Sequence, residues 1–197
     1  MNNSFYKVGF FDIDADRLYT EWYNASISFD LFEKTHNLTM SNRAKKYYRM
    51  RINHSNHFVK SEDPCIIHGV SKSYDEDTYS IDNIIDVFKN SYTEEIVKQV
   101  CDFLNTKMIA YKVTRIKYHA LGPGAFLPLH TDGSETPRFF LFIRVKQGSY
   151  MHIAGDKIAM HEPGALYRFN CKALHSPINE SDDYRLCMIF DVKKILN

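Results

Sequence analysis

Pro123-Gly-Ala-Phe-Leu-Pro-Leu-His130-Thr-Asp132-Gly133 is the stretch on which the fold of this chain turns. A Pro-Gly turn leads into an extended segment that ends on a histidine and an aspartate two residues apart. Residues two apart on a strand point to the same face, so His130 and Asp132 share one. His175 can reach that face from a second strand, and Arg185 follows ten residues later. Two imidazoles and one carboxylate on one side of a metal leave its other positions open, the donor set of non-haem Fe(II) sites. Arg185 is well placed to grip an acid, because a guanidinium meets a carboxylate with two parallel hydrogen bonds.

Each of these residues also has a plainer explanation. His130 and Asp132 suit a satisfied turn pair, and His175 suits a core histidine. Zn(II) or Ni(II) would accept the same ligands as Fe(II). On the strand 184–192, Tyr184, Leu186, Met188 and Phe190 face one way. Arg185, Cys187, Ile189 and Asp191 face the other. An arginine among apolar neighbours is costly unless paired. Its partner is therefore a bound acid or Asp191, unless it lies on an exposed edge. His119 and Tyr118 precede the His130 segment and are placed to line the same pocket. His152 and His161 sit near turns and read as surface residues. His36, His54, His57 and His68 lack ligand spacing to one another.

Working outward, short apolar runs alternate with Gly and Pro turns from Met108 onward. Strands are expected at 109–120, 150–153, 165–169 and 184–192. Between them, Leu141, Ile143 and Val145 share one face of a strand, with Phe140 and Phe142 on the other. Turns fall at Gly122-Pro-Gly124, Gln147-Gly148, Gly155-Asp156 and Pro163-Gly164. Upstream the period changes. Leu18, Tyr19, Trp22 and Tyr23 predict a short helix over 16–23. Ile81, Ile84, Ile85 and Phe88 follow helical spacing and predict another. Ser91-Tyr-Thr-Glu94 is a capping box that opens a helix with the apolar stripe Ile96, Val97, Val100 and Leu104. Helices first and strands later fit a β-barrel or sandwich buttressed by helices.

At 197 residues the chain suits one domain, with 1–110 a mixed, partly helical buttress and substrate wall and 111–197 a metal-binding β core. A net charge of +1 offers no broad field for nucleic acid or anionic membrane. No run approaches the roughly 18 apolar residues of a membrane span. Met1-Asn-Asn-Ser-Phe-Tyr-Lys7 has no apolar signal region, so a cytoplasmic location is expected, and the Asn37-Leu-Thr39 sequon is then incidental. Cys65, Cys101, Cys171 and Cys187 show no CxxC spacing and read as free core thiols. Arg43-Ala-Lys-Lys-Tyr-Tyr-Arg-Met-Arg51 sets five basic residues around two tyrosines. It is either a solvated helix face or a segment turned toward an acidic or polymeric substrate.

Several stretches in about the last 80 residues resemble the aspartyl/asparaginyl β-hydroxylase family. Residues 123–133 resemble its entry to the metal site, and Arg138-Phe-Phe-Leu-Phe-Ile143 its arginine-bearing strand. Glu162-Pro-Gly-Ala-Leu-Tyr-Arg-Phe169 resembles the turn and strand before the second metal histidine. His175-Ser-Pro-Ile-Asn179 and Tyr184-Arg-Leu-Cys-Met-Ile-Phe-Asp191 resemble the closing histidine and arginine strands. Two positions depart from the protein-aspartyl members of that family. Those members carry Gly in place of Asp132, and a histidine where this chain has Phe140. The chain thus looks closer to full-triad members, such as the proline hydroxylases.

The resemblance implies a double-stranded β-helix, the cupin-like jelly roll: mostly β with flanking helices. It implies Fe(II) on His130, Asp132 and His175, with 2-oxoglutarate as co-substrate and its far carboxylate on Arg185. Arg138 then serves the co-substrate too, or is a strand-edge charge, and His119 lines the pocket. The implied reaction hydroxylates a small amino-acid-like substrate, free or in a peptide, using O2 and releasing succinate and CO2. Asp132 fills the position a halide would need, so hydroxylation is expected over halogenation. The alternatives are a non-catalytic cupin-like metal- or ligand-binding protein, or an oxygenase acting on a nucleic acid.

Overall fold

The computed structural model describes residues 4–28, 47–52, 84, 86–107, 111–132, 136–159 and 162–195. In chain order its first elements are β1 (Phe5–Phe10), α1 (Ala15–Ser28), β2 (Tyr47–Arg51), a 3-10 turn (Asp86–Phe88) and α2 (Tyr92–Lys107). Then follow β3 (Tyr111–Leu121), β4 (Arg138–Arg144), β5 (Ser149–Ile153), β6 (Asp156–Ala159), β7 (Ala165–Phe169), β8 (His175–Asn179) and β9 (Arg185–Lys194). Six strands form an antiparallel sheet in the order β1-β7-β4-β9-β3-β2, and three form a second in the order β6-β5-β8. The mostly β fold with flanking helices matches the sequence pattern.

The alternation along β9 sorts two cores. Leu186, Met188, Phe190 and Val192 pack with Ile116, Tyr118, Leu141 and Ile143 against the helices. Cys187 and Ile189 pack with Phe140, Phe142 and Phe169 against Met151 and Ile153 of the smaller sheet. A strand buried on both faces must read as a nearly unbroken apolar run, as β9 does. Helix α1 buries Leu18, Trp22 and Ala25, and α2 buries Ile96, Val97, Val100, Cys101 and Leu104. Full burial of each large side chain contributes about 1.5–3 kcal/mol.

Helix α2 is capped twice. Ser91 Oγ accepts the Glu94 N–H at 3.3 Å, while the Glu94 carboxylate reaches back to the N–H of Asn90 at 2.6 Å. Glu21 of α1 accepts the N–H groups of Tyr92 at 3.0 Å and Thr93 at 2.8 Å, which ties the two helices together. The Pro163-Gly164 turn requires its glycine. Gly164 has φ +82°, and a Cβ there would stand 2.1 Å from the carbonyl oxygen of Phe11.

Several expectations need correction. Helix α1 runs on to Ser28, burying Ala25 and Ser26 beyond the expected end, with Ser26 Oγ donating to the Trp22 carbonyl at 2.8 Å. Ile84 and Phe88 belong to a bridge and a 3-10 turn rather than a helix, and Ile81 and Ile85 lie outside the described residues. Val145 packs with Phe140 and Phe142, not with Leu141 and Ile143. The pairing of β4 with β9 shifts register between Phe142 and Arg144, and such a bulge breaks strict alternation. Tyr118 faces the helices, where its hydroxyl meets Thr93 Oγ1 at 2.6 Å. Cys101, Cys171 and Cys187 are buried free thiols, and Cys65 lies outside the described residues. Among the described residues, no helix is long and apolar enough to cross a membrane.

Candidate metal and co-substrate site

His130 and Asp132 lie on an extended segment rather than in a long strand. Isolated bridges hold it, pairing Phe126 with Ile178 and His130 with His175. The His130 N–H donates to the His175 carbonyl at 2.9 Å, and the His175 N–H returns the bond at 2.8 Å. The Asp132 N–H donates to the Cys171 carbonyl at 3.0 Å. The face-sharing expected from the two-residue spacing survives, because these bonds keep the backbone extended.

The three side chains converge. His175 Nε2 stands 3.6 Å from Asp132 Oδ2, and His130 Nε2 stands 3.9 Å from Asp132 Oδ1. One ligand atom from each residue lies within 4.8 Å of the others. Both tautomers are set by the backbone. His130 Nδ1 lies 2.6 Å from the Pro128 carbonyl, and His175 Nδ1 lies 2.9 Å from that of Ala173. A carbonyl only accepts, so each Nδ1 carries the hydrogen and each Nε2 turns a lone pair inward. The Phe169 ring, 4.6 Å from the His175 ring, wedges the imidazole in place.

The electrostatics match this arrangement. Burial, with His130 nearby, holds the His175 pKa below its ordinary value despite the Ala173 hydrogen bond, so the ring is a neutral donor. Burial pushes the Asp132 carboxyl upward, but Arg138 and the two imidazoles outweigh it and keep the group ionised. Two imidazoles and a carboxylate aimed at one point fit an Fe(II) donor set.

A small cavity, partly open to solvent, adjoins these ligand atoms. Its walls include Lys117 and His119 of β3, Phe140 of β4, Met151 of β5, and Arg185 and Ile189 of β9. Arg185 is only 1% exposed; its NH1 lies 3.5 Å from the Tyr150 carbonyl and its guanidinium 5.6 Å from the Phe142 ring centre. His119 is buried, with Nδ1 4.0 Å from Cys187 Sγ. Burial pushes the Cys171 and Cys187 thiols up to about 11 and about 12, so neither is a thiolate near neutral pH. His152 is partly exposed beside Tyr150, away from the cavity.

Arg138 is neither a strand-edge charge nor a simple lining residue. Its NH1 bonds Asp132 Oδ2, and its Nε donates to Asp191 Oδ1 at 2.6 Å. Asp191 Oδ2 also accepts Arg115 Nε at 2.5 Å and Lys117 Nζ at 3.1 Å. Burial opposes ionisation of Asp191, yet Arg138, Lys117 and Arg115 hold its carboxyl well below the ordinary value. The partners of Asp191 are thus these three cations. Register explains why: β9 sets Asp191 directly opposite Arg138. Arg115, Lys117 and Asp191 escaped the site reading. Their signal was faint: Arg115, Lys117 and His119 recur at every second position of β3.

Of the basic stretch 43–51, residues 43–46 lie outside the described residues. The remainder is β2, an edge strand whose backbone pairs Arg49 with His119 and Arg51 with Lys117. His36, His54, His57, His68, His161 and the 37–39 sequon also lie outside the described residues.

The two antiparallel sheets make a jelly roll, and its cavity holds a His-Asp-His group whose atoms could hold a metal ion. The aspartyl/asparaginyl beta-hydroxylase family model matches residues 87–194, more than half of the chain, and the chain belongs to that family. Solved structures agree on the fold. The viral collagen prolyl hydroxylase vCPH from Paramecium Bursaria Chlorella virus-1, in its 2OG complex, superposes with a TM-score of 0.55 at 12% identity, covering 99% of this chain and 98% of that one. AviO1 from Streptomyces viridochromogenes Tue57 gives 0.56 at 10% identity, over 97% of this chain and 90% of that one. EvdMO1 gives 0.57 at 12% identity, over 98% of this chain and 48% of that one. None of the curated proteins matches the sequence.

Proposed function

We propose that the chain is an Fe(II)- and 2-oxoglutarate-dependent dioxygenase. It hydroxylates a small amino-acid-like substrate, free or within a peptide, and releases succinate and CO2. The observation that carries this reading is the convergence of two tautomer-fixed imidazoles and Asp132 on one cavity that also holds buried Arg185.

His130, Asp132 and His175 hold the metal. Each imidazole is anchored through Nδ1 to a backbone carbonyl, which leaves Nε2 as the atom turned to the metal. Bound iron and 2-oxoglutarate would supply the O2-driven oxidation of a C–H bond. Arg185 grips the far carboxylate of the co-substrate inside the cavity, where a charge-assisted bidentate contact is strongest. His119 borders the same co-substrate. Arg138, tied to Asp132 and Asp191, contributes by holding the metal carboxylate. Phe140, Met151 and Ile189 keep that part of the cavity apolar and limit water. The substrate class rests on family membership and on the presence of Asp132, the carboxylate of full-triad members. The chain acts as one oxygenase domain over 1–197, with its first half forming much of the substrate wall.

The test is an anaerobic titration of the metal-free chain with Fe(II) and then 2-oxoglutarate, followed by a screen of amino acids, peptides and oligonucleotides for succinate release. A weak visible charge-transfer band and substrate-dependent succinate are expected. A chain that binds metal and 2-oxoglutarate yet releases no succinate with any of them would be a ligand-binding jelly roll instead. Release with oligonucleotides alone would replace the substrate class.

A further inference from the structure

We propose that Asp191 is a positioning residue: through Arg138 it fixes the carboxylate of Asp132 and thereby sets how tightly the site holds its metal. This rests on the reading of His130, Asp132 and His175 as metal ligands. The chain of contacts is continuous and partly buried, with only Lys117 fully so. Arg115 and Lys117 on β3 hold Asp191 Oδ2 at 2.5 and 3.1 Å. Asp191 Oδ1 on β9 holds Arg138 Nε at 2.6 Å, and Arg138 NH1 on β4 bonds Asp132 Oδ2.

The geometry makes Arg138 a rigid spacer. Its guanidinium is planar, so fixing Nε on Asp191 fixes the direction in which NH1 points. That direction decides where Asp132 can rest. With Oδ2 on Arg138, the carboxylate stands between the two rings, with Oδ2 3.6 Å from His175 Nε2 and Oδ1 3.9 Å from His130 Nε2. Asp132 needs such a hold. Its backbone belongs to no named strand, and its N–H bond to Cys171 orients the main chain but not the side chain. If Asp191 is removed, Arg138 keeps one carboxylate partner, Asp132, and draws it away from the imidazoles. A mere staple between β4 and β9 would affect stability, whereas a positioning residue affects the metal through Arg138.

The experiment is a Co(II) titration of the metal-free full chain, followed by calorimetry and by the visible Co(II) absorption. Asp191→Asn is expected to raise the Co(II) dissociation constant by about 10–100-fold, the usual consequence of losing a partner behind a metal ligand, and to alter the absorption band. In an Arg138→Met background, Asp191→Asn is expected to add less than a twofold change. Should Asp191→Asn fail to fold, Arg138→Lys decides: it keeps the charge but cannot span both carboxylates, and the same loss is expected. The relay is overturned if Asp191→Asn or Arg138→Lys binds Co(II) within twofold of the parent. It is also overturned if Asp191→Asn weakens binding equally with and without Arg138. A parent chain that binds no Co(II) overturns the ligand reading itself, a result distinct from parent binding that Asp191→Asn leaves unchanged.

Discussion

The two faces of the six-stranded sheet are made by alternate residues of the same strands, yet they do opposite things. Toward the helices, β3, β4 and β9 present Ile116, Tyr118, Leu141, Ile143, Leu186, Met188 and Phe190. Toward the smaller sheet, the same strands carry Arg115, Lys117, His119, Arg138, Arg185 and Asp191 among the apolar residues. The helix face gains its free energy mainly from apolar burial. On the cavity face the cost of burying charge is offset for Arg115, Lys117 and Arg138 by sharing Asp191 among the three and Asp132 with Arg138. The helix face should carry most of the stability and the cavity face the proposed chemistry, and mutations should separate the two.

The largest effects belong to the cavity face. His130→Ala, Asp132→Ala and His175→Ala should each reduce succinate production below detection while the far-UV circular dichroism stays that of the parent. Near-normal succinate from a folded, metal-loaded variant removes that residue from the ligand set. Asp132→Gly reproduces the carboxylate-free pattern of the protein-aspartyl hydroxylases and should keep more activity than Asp132→Ala if water can fill the gap. On the helix face, Phe190→Ala should cost about 3–5 kcal/mol in urea unfolding, as for other fully buried aromatics. Its folded fraction should still bind Co(II) like the parent, and weaker binding would show that the faces are coupled.

Arg185→Met tests the far end of the cavity. Losing a buried charge-assisted contact costs about 2–5 kcal/mol, so the 2-oxoglutarate dissociation constant should rise at least tenfold while metal affinity holds. An unchanged constant would shift the co-substrate to Arg138 or Lys117.

The convergence of His130, Asp132 and His175 beside Arg185 could be read in the sequence because its information is local. A two-residue spacing survives whether the segment is a full strand or a bridged extension, and β9 alternates without a bulge from Arg185 to Phe190. The Asp132–Arg138–Asp191 chain could not be read, because it depends on which residue of β9 lies opposite Arg138. That register is set by packing across the sheet, not by either strand alone. Val145 was misplaced for a related reason, the shift between Phe142 and Arg144. Tyr118 was misplaced because its neighbour His119 faces the cavity, and adjacent strand residues cannot share a face.

Acid should reveal the cavity face in the metal-free chain. Folded Asp132 and Asp191, and Asp183 beside Arg144, titrate below the ordinary 3.8 despite burial, and folded His175 titrates below 6.5 because of it. In both cases the unfolded chain binds more protons in acid, so stability rises with pH across the titration. It should be fully present above about pH 7 and fall modestly as pH drops through 6.5. The steeper fall should come below 3.8, as the carboxylates of the unfolded chain take up protons. Melting temperatures from pH 8 to 3 check this. An Asp191→Asn profile as steep below pH 3.8 as the parent's would deny Asp191 its share.

The smallest effect is expected where the helices meet. Glu21 accepts the N–H groups of Tyr92 and Thr93 and, at 2.7 Å, the Thr93 hydroxyl, so a residue of α1 caps α2. The same Thr93 oxygen meets the Tyr118 hydroxyl at 2.6 Å on the helix face of β3. Removing a cap costs about 0.5–2 kcal/mol. In a chain of this length each kcal/mol lowers the melting temperature by about 2–4 °C. Glu21→Ala should therefore melt a few degrees early, and Glu21→Gln, which keeps one acceptor, should lose less. Neither should change Co(II) or 2-oxoglutarate affinity, because Glu21 acts through Thr93 and Tyr118, which point away from His119 and the cavity. A Glu21→Ala variant with weakened metal binding would mean that β3 transmits helix docking to its other face, and the separation of the two faces would then fail at its gentlest perturbation.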